Sequence, residues 1–337
     1  MKPLRITVIT PSYQQAPYLE ECLRSVAEQD HPDVEHIVVD GGSTDGSVAI
    51  LERHAHRLAW WCSERDGGQS DALNKGLAHA TGDLFGWINS DDLLLPGVLR
   101  EVAAIFAADP TVMVVTGRRL KRHADGGEEA MPLESTTDHR AWFVHPQIAQ
   151  QATFIRMDVV RAVGGVDPAL HYVMDLELWW RILFQYGTAG VRVVDREWAV
   201  FRMHDESKST TGAPGFVQET GALLERACAA VGESDLAELL AMVVEERPAL
   251  RGLPVAPQHL EQVSAMAVHH LLKWYGGCYD LRQYRMMRRF HAQSTRWIPL
   301  MDATDRARLA ALNELMRGSN WWTFLLQRKW KQWIRSR

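Results

Sequence analysis

Gly82-Asp83-Leu84-Phe85-Gly86-Trp87-Ile88-Asn89-Ser90-Asp91-Asp92 is the stretch on which the fold turns. Its apolar run, Leu84 to Ile88, predicts a short buried strand. Two adjacent carboxylates follow almost at once. Like charges at a strand's carboxyl end repel each other, and a divalent cation such as Mg²⁺ or Mn²⁺, which takes hard oxygen ligands, removes that cost. Such a cation typically serves phosphates. The other reading is a solvated turn, with Asp91 or Asp92 capping a helix that Pro96 helps to start. The stretch alone leaves both open.

Upstream, short apolar runs alternate with amphipathic ones. Strands are expected at Ile6–Thr10, Val34–Val39 and Leu58–Cys62, with helices at Tyr18–Gln29, Ser47–His54 and Ser70–His79 between and after them. A helix at Val98–Ala107 and a strand at Val112–Thr116 continue the series. This alternation predicts an α/β fold, its sheet parallel and covered on both faces, with ligands at the carboxyl ends of the strands. Arg118–Glu134 reads as a hairpin or loop, Thr153–Arg156 and Val191–Arg202 as strands, and Asp175–Tyr186 as a helix. From Phe216 the pattern is mostly helical, so we expect one domain at 1–215 and a helical region at 216–337.

Polar clusters follow each of the first four strands: Thr10-Pro11-Ser12-Tyr13-Gln14, Asp40-Gly41-Gly42-Ser43-Thr44-Asp45-Gly46, Asp66-Gly67-Gly68-Gln69-Ser70-Asp71, and Asn89-Ser90-Asp91-Asp92. Four clusters on one sheet edge build one polar pocket. The glycines do not have the G-x-G-x-x-G spacing of dinucleotide enzymes, and no P-loop is present, which argues against hydride transfer and NTPase chemistry.

Composition narrows the rest. With 46% hydrophobic and 23% charged residues the chain is of ordinary globular type. The net charge of −5 hides an asymmetry: Leu281–Arg337 holds 13 Lys/Arg against 3 Asp/Glu, a net of +10, leaving −15 on the first 280 residues. That balance argues against nucleic acid and points the C-terminal part toward an anionic surface. Cys22, Cys62, Cys228 and Cys278 are scattered, as expected of free thiols in a reducing compartment. No signal-peptide h-region and no run long enough to span a bilayer is seen, so the expected location is the cytoplasm, free or on the inner face of the membrane.

The ordered strings Ile6-Thr7-Val8-Ile9-Thr10-Pro11-Ser12-Tyr13, Val38-Val39-Asp40-Gly41-Gly42-Ser43-Thr44-Asp45, Asp66-Gly67-Gly68-Gln69-Ser70-Asp71-Ala72-Leu73-Asn74-Lys75-Gly76 and Asn89-Ser90-Asp91-Asp92 resemble the family 2 glycosyltransferases, as do Gln151-Ala152-Thr153-Phe154, Val163-Gly164-Gly165-Val166-Asp167, Met174-Asp175-Leu176-Glu177 and Arg202-Met203-His204. The resemblance covers about the first 210 residues. It implies a GT-A fold with a mixed, mostly parallel sheet, an inverting reaction, and a divalent cation, Mn²⁺ or Mg²⁺.

It also implies roles. Asp40, with Gly41 beside it, would accept a hydrogen bond from a uracil or thymine imide, which suits an acceptor-only carboxylate; the other reading is a turn residue. Thr10, Pro11 and Tyr13 would line base and ribose. Asp66 and Asp71 would touch ribose or donor sugar, and Asn89 and Asp91 belong to the same nucleotide-sugar set. Lys75 joins that set, although it and Asn74 also read as plain helix-surface residues. Asp92 is the expected first metal ligand and His204 the second. Asp175 would be the base that takes the acceptor's proton, with Glu177 in support; alternatively Asp175 only caps its helix.

In Trp321–Arg335, Trp322, Leu325, Leu326, Trp330, Trp333 and Ile334 share one helical face flanked by Arg328, Lys331 and Arg335. That pattern describes a helix lying on an anionic leaflet, or an ordinary terminal helix packed on the protein. The expected partners are a nucleotide-sugar, of the UDP class by resemblance, a glycan or glycolipid acceptor, and an anionic membrane surface through Trp321–Arg337. A nucleotidyltransferase and a non-catalytic nucleotide-sugar-binding protein are the alternatives.

Overall fold

The structure is a computed structural model that describes all residues except 1–2, 133–138, 145, 147–148, 206, 209–211, 246–247, 275–280, 318–321 and 324–337. The tail helix expected at 321–337 therefore lies outside the described residues, apart from Trp322 and Thr323. The chain falls into two compact units, 1–213 and 214–337.

In the first unit Ile6–Ser12 (β1) leads into Ala16–Ala27 (α1). Pro17 opens α1, and Leu19, Cys22, Leu23 and Val26 form the i, i+3, i+4, i+7 stripe that it buries. Val34–Asp40 (β2), Ser47–His54 (α2), Trp60–Ser63 (β3), Gln69–His79 (α3) and Leu84–Trp87 (β4) follow. Then come the two-residue Leu93–Leu94 (β5), Val98–Ala108 (α4), and a hairpin of Val114–Arg122 (β6) with Glu128–Met131 (β7). His139–Val144 (α5), Thr153–Arg156 (β8), Met157–Ala162 (α6), Met174–Tyr186 (α7) and Val191–Arg202 (β9) complete it. β5, α5 and α6 were not expected from sequence; each is too short to show a period.

These strands form one sheet in the order β3-β2-β1-β4-β8-β6-β9-β5, with β7 on β6. β1, β2, β3 and β4 are parallel, and so are β6 and β9; β8 runs against both its neighbours. The sheet is thus mixed, not purely parallel, because β8 enters between β4 and β6. The register lines up Ser12, Asp40 and Ser63 at the carboxyl ends of β1, β2 and β3. Gly86 sits opposite Phe154, whose ring would lie 2.6 Å from a Cβ there, so the middle of β4 has no room for a side chain. Below the sheet edge Ile6, Val8, Leu84, Ile88, Val115, Phe154 and Trp198 pack with α1 and α4 into one core.

A buried ion pair anchors α7. Arg181, 3% exposed, meets both carboxylate oxygens of Glu177, 0% exposed, at 2.5 and 2.6 Å. The same guanidinium donates to the carbonyls of Val163 and Gly165. Asn74 of α3 holds the turn from the other side, donating to the Val166 carbonyl at 2.8 Å and accepting from its N–H at 3.0 Å. Gly165 has φ +71°, and a Cβ there would meet Asn74 Oδ1 at 2.7 Å, so only glycine fits. Glu177→Ala leaves the guanidinium buried without its counter-charge and is expected to cost about 3–5 kcal/mol. Urea unfolding measures it; a loss below about 1 kcal/mol would mean that the pair is not what holds the turn.

The second unit is helical: Ala213–Ala230 (α8), Ser234–Ala241 (α9), Leu260–Trp274 (α10), Leu281–Gln293 (α11) and Ala303–Met316 (α12). His269 of α10 and Asp305 of α12, both buried, meet at 2.8 Å. Burial alone would raise the Asp305 pKa, but the His269 hydrogen bond and the charges of His269 and Arg308 outweigh it and hold it low. Among the described residues no helix is long and apolar enough to cross a membrane.

Candidate functional site

The loop after β2 is built around Asp40. Its carboxylate accepts from the N–H groups of Gly42 (3.1 Å) and Ser43 (2.8 Å), from Ser43 Oγ (2.6 Å) and from Ser63 Oγ of β3 (2.6 Å). Three of these donors go to Oδ2 and one to Oδ1, so Oδ2 is fully engaged and Oδ1 keeps an acceptor position. Asp40 is also fully buried. Asp40 thus shapes the loop, as the turn reading expects, while Oδ1 retains the acceptor capacity that the base-binding reading needs. Thr10 is likewise internal: its hydroxyl meets His36 Nε2 at 3.0 Å, and burial depresses the His36 pKa to about 3. Pro11 is buried beside it.

What reaches solvent on this side is Tyr13, 61% exposed. A Cβ on Gly41 would lie 3.2 Å from the Tyr13 ring and 3.3 Å from Asp66 Oδ1, so Tyr13, Gly41 and Asp66 converge. Asp66 Oδ1 accepts from Gly68 N–H at 2.8 Å, and Asp71 Oδ2 from Gly67 N–H at 3.0 Å. Lys75 is turned to Glu64 (3.0 Å) and Asp71 (3.7 Å), so it acts as the helix-surface residue of the alternative reading.

Asn89 also looks inward. Its Oδ1 accepts from Gln69 Nε2 and Trp87 Nε1, each at 2.7 Å, and its Nδ2 donates to Gln150 Oε1 at 3.3 Å. Gln150 closes the loop by donating to the Trp87 carbonyl at 2.6 Å. Asn89 thus ties the starts of α3 and β8 to the end of β4. It is a positioning residue here, not an open sugar contact.

The two carboxylates after β4 have opposite fates. Asp92 points inward and is 0% exposed; Oδ1 accepts from Arg202 N–H at 3.1 Å, and Oδ2 is buried without a partner. Burial and the neighbouring charge of Asp91 push its pKa well above the usual carboxylate range. Asp91 points outward, and its Oδ2 stands 3.1 Å from His204 Nε2. Of the two aspartates, Asp91 is the one that faces His204. The imidazole is held by stacking on Tyr18 of α1, with centroids 4.5 Å apart, and Arg202 binds the Tyr18 carbonyl, Glu21 and the Asp91 carbonyl. The 3.1 Å contact is a hydrogen bond, and two cis ligands of an octahedral cation with bonds of about 2.1 Å stand about the same distance apart. Among the described residues no third His, Cys, Asp or Glu joins them.

Asp175 lies in the first turn of α7, one residue inside its start, and its Oδ1 accepts from Leu176 N–H at 2.8 Å. Val173, not Asp175, occupies the cap position. Burial raises the Asp175 pKa; hydrogen bonds from the helix start and the charges of Arg119 and Lys208 oppose the rise. Lys208 Nζ bridges Gln69 Oε1 (3.1 Å) and the His171 carbonyl (3.0 Å). Arg119 and Lys208 were not read from the sequence as site residues. Ser63 was missed for the same reason: its partner is 23 residues away on another strand.

Comparison with known proteins agrees with this geometry. Residues 7–163 match the model of glycosyl transferase family 2. An uncharacterized glycosyltransferase of Mycobacterium tuberculosis is 33% identical over 165 residues, which is 48% of this chain and 62% of that protein. The putative teichuronic acid biosynthesis glycosyltransferase TuaG of Bacillus subtilis is 40% identical over 94 residues, 27% of this chain and 37% of TuaG. The chain thus spans about three fifths of the length of the mycobacterial relative. Among solved structures, S. aureus TarS in complex with UDP superposes with a TM-score of 0.60 at 16% identity, covering 93% of this chain and 90% of that one. The mannosyltransferase PcManGT from Pyrobaculum calidifontis, in complex with GDP-Man and Mn²⁺, gives a TM-score of 0.53 at 19% identity over 98% of this chain and 85% of that one. The sheet order, the loops at its carboxyl edge and the match over residues 7–163 lead to one conclusion: that stretch, just under half of the chain, matches glycosyl transferase family 2, and the fold is similar to that of the GT-A glycosyltransferases.

Proposed function

We propose that this chain is an inverting, divalent-cation-dependent glycosyltransferase that moves a sugar from a nucleoside diphosphate, UDP by preference, to a hydroxyl of a glycan or glycolipid of the cell envelope. The observation that carries the reading is the Asp91–His204 pair, brought to 3.1 Å from positions 113 residues apart. Asp91 and His204 would hold the cation, which when bound neutralises charge on the leaving diphosphate. Tyr13 offers a ring on which a base can stack. Asp66 is the carboxylate beside that ring, and its Oδ2, together with Asp40 Oδ1, is an acceptor available for a uracil imide. Asp71 completes this rim by fixing the Gly67 backbone. Asp175 takes the proton of the acceptor hydroxyl as the hydroxyl oxygen attacks the anomeric carbon. The names of relatives such as TuaG, from a teichuronic acid system, support an envelope acceptor. The basic C-terminal region, net +10 over 281–337, supports work at the inner face of a membrane.

A thermal-shift panel of UDP-, dTDP- and GDP-sugars, with Mn²⁺ and with chelator, tests the reading, since a ligand that binds the folded state raises its melting temperature. UDP-sugars with Mn²⁺ should give the largest rise. No rise with any nucleotide-sugar would contradict it. Tyr13→Ala should weaken UDP by about 1–3 kcal/mol, the usual worth of one base stacked on an aromatic ring, while Tyr13→Phe should not. Equal UDP affinity in the alanine variant, by calorimetry, would place the base elsewhere.

A further inference from the structure

Arg119 is a guanidinium with too little to hold. It lies on β6, where the pairing with β9 shifts register between Thr116 and Arg118 and again between Arg118 and Arg119. Such irregularities re-aim side chains. Arg118 pairs with Asp195 (3.1 Å) and Glu197 (2.7 Å). Arg119 turns instead to soft partners: Nε donates to Met131 Sδ at 3.3 Å, Nη1 to Gln151 Oε1 at 3.3 Å, and its Cζ lies 5.4 Å from the Phe201 ring centroid. Among the described residues no carboxylate comes within 4.0 Å of it. Its half-buried charge is felt by Asp92 and Asp175, and burial pulls its own pKa down.

The contrast with its neighbours is informative. Arg181 has a bidentate carboxylate and two carbonyls, and Arg202 a carboxylate and two carbonyls. A half-buried guanidinium with five N–H donors and no anion is costly, and the usual remedy is an oxyanion held by its planar fork. Its own Nη2 makes no hydrogen bond in the protein and is not sealed from solvent. The position narrows the source of that oxyanion. The nucleotide-side loops end β1, β2, β3 and β4, whereas β6 lies two strands beyond β4. At about 4.8 Å per strand that is about 10 Å farther along the sheet, where its charge is felt by Asp175 as well as by Asp92.

We infer that Arg119 is a specificity-determining residue that receives an oxyanion, a carboxylate or a phosphate, carried by the sugar acceptor. This rests on the transferase reading above, because it takes Asp175 to mark the acceptor side. A neutral acceptor would leave the fork unfilled. An acceptor bearing a uronate or a phosphate would fill it with charge-assisted hydrogen bonds and would be brought up to Asp175 in a fixed orientation.

The test compares binding of glucuronate, glucose 6-phosphate and glucose by calorimetry and saturation-transfer NMR, with and without UDP, in wild type, Arg119→Gln and Arg119→Lys. At least one anion should bind about tenfold or more tighter than glucose in wild type, the effect expected of hydrogen bonds to a charged group. Which anion prevails separates carboxylate from phosphate. The preference should vanish in Arg119→Gln and survive weakened in Arg119→Lys, while UDP affinity stays within about twofold. Equal binding of all three sugars in wild type overturns the inference, and so does a preference retained in Arg119→Gln. A tenfold loss of UDP affinity in that variant also overturns it, by assigning Arg119 to the donor. Should Arg119→Gln not fold, the lysine variant decides alone: unchanged anion affinity there counts against the fork. Failure of wild type to bind UDP at all sinks the transferase reading instead, and the arms without UDP keep the two failures apart.

Discussion

Asp175→Asn is expected to lower transfer by a factor of about 10² or more and to leave UDP affinity unchanged, since a positioned general base typically contributes that much. The amide keeps an oxygen for the Leu176 N–H that Asp175 Oδ1 accepts, so the start of α7 survives. The pH dependence has a definite sign. Burial raises the Asp175 pKa. The base works only when ionised, so the acid limb of the rate profile should lie above the ordinary carboxylate range and disappear in the variant. Stability runs the other way. With a folded-state pKa above the unfolded one, the folded protein binds the proton more tightly, and the stability this lends is full below the unfolded pKa. It is lost as pH rises from there through the raised folded value. The asparagine variant should therefore be no less stable than wild type at neutral pH. Steady-state kinetics with a chelated and a Mn²⁺-loaded sample, across pH, checks both halves; near-normal turnover would move the base elsewhere.

Asp91→Asn should abolish most of the gain in UDP affinity that Mn²⁺ confers, because it removes an anionic ligand facing His204 at 3.1 Å. Asp92→Asn should behave differently. Asp92 has a buried oxygen without a partner and a raised pKa, caused by burial and by Asp91. Neutralising it relieves that cost, so the melting temperature at neutral pH should rise. The opposite ranking, with Asp92→Asn losing the metal effect and Asp91→Asn keeping it, would restore the ligand order expected from sequence.

That difference shows where sequence reading stops. The run Leu84 to Ile88 followed by Asn89-Ser90-Asp91-Asp92 is legible as a strand with polar residues at its carboxyl end, because apolar runs and charge are local properties. Which carboxylate faces out depends on how the chain bends after Ile88, and that bend is set by Arg202, 110 residues on, whose N–H takes Asp92 inward. Asp40 shows the same limit. An aspartate before two glycines suits both a ligand and a turn, and the partner that fixes its Oδ2, Ser63, is supplied by the register of β3 and cannot be read locally. Arg119 sits in Arg118–Glu134, which reads as a hairpin or loop; the register shifts of β6 beside it cannot be read from the local sequence. His204 could be singled out because it follows the strand that ends at Arg202 and stands in the Arg202-Met203-His204 string of the family resemblance.

Calorimetric titration of the intact chain with UDP, in Mn²⁺ and in chelator, tests the central claim most directly. Asp91 and His204 would supply only two ligands to a cation, so cation and diphosphate are expected to bind together. We expect UDP affinity to rise by about tenfold or more with Mn²⁺, the size of a typical coupling between linked ligands. Equal affinity with and without the cation would contradict the account.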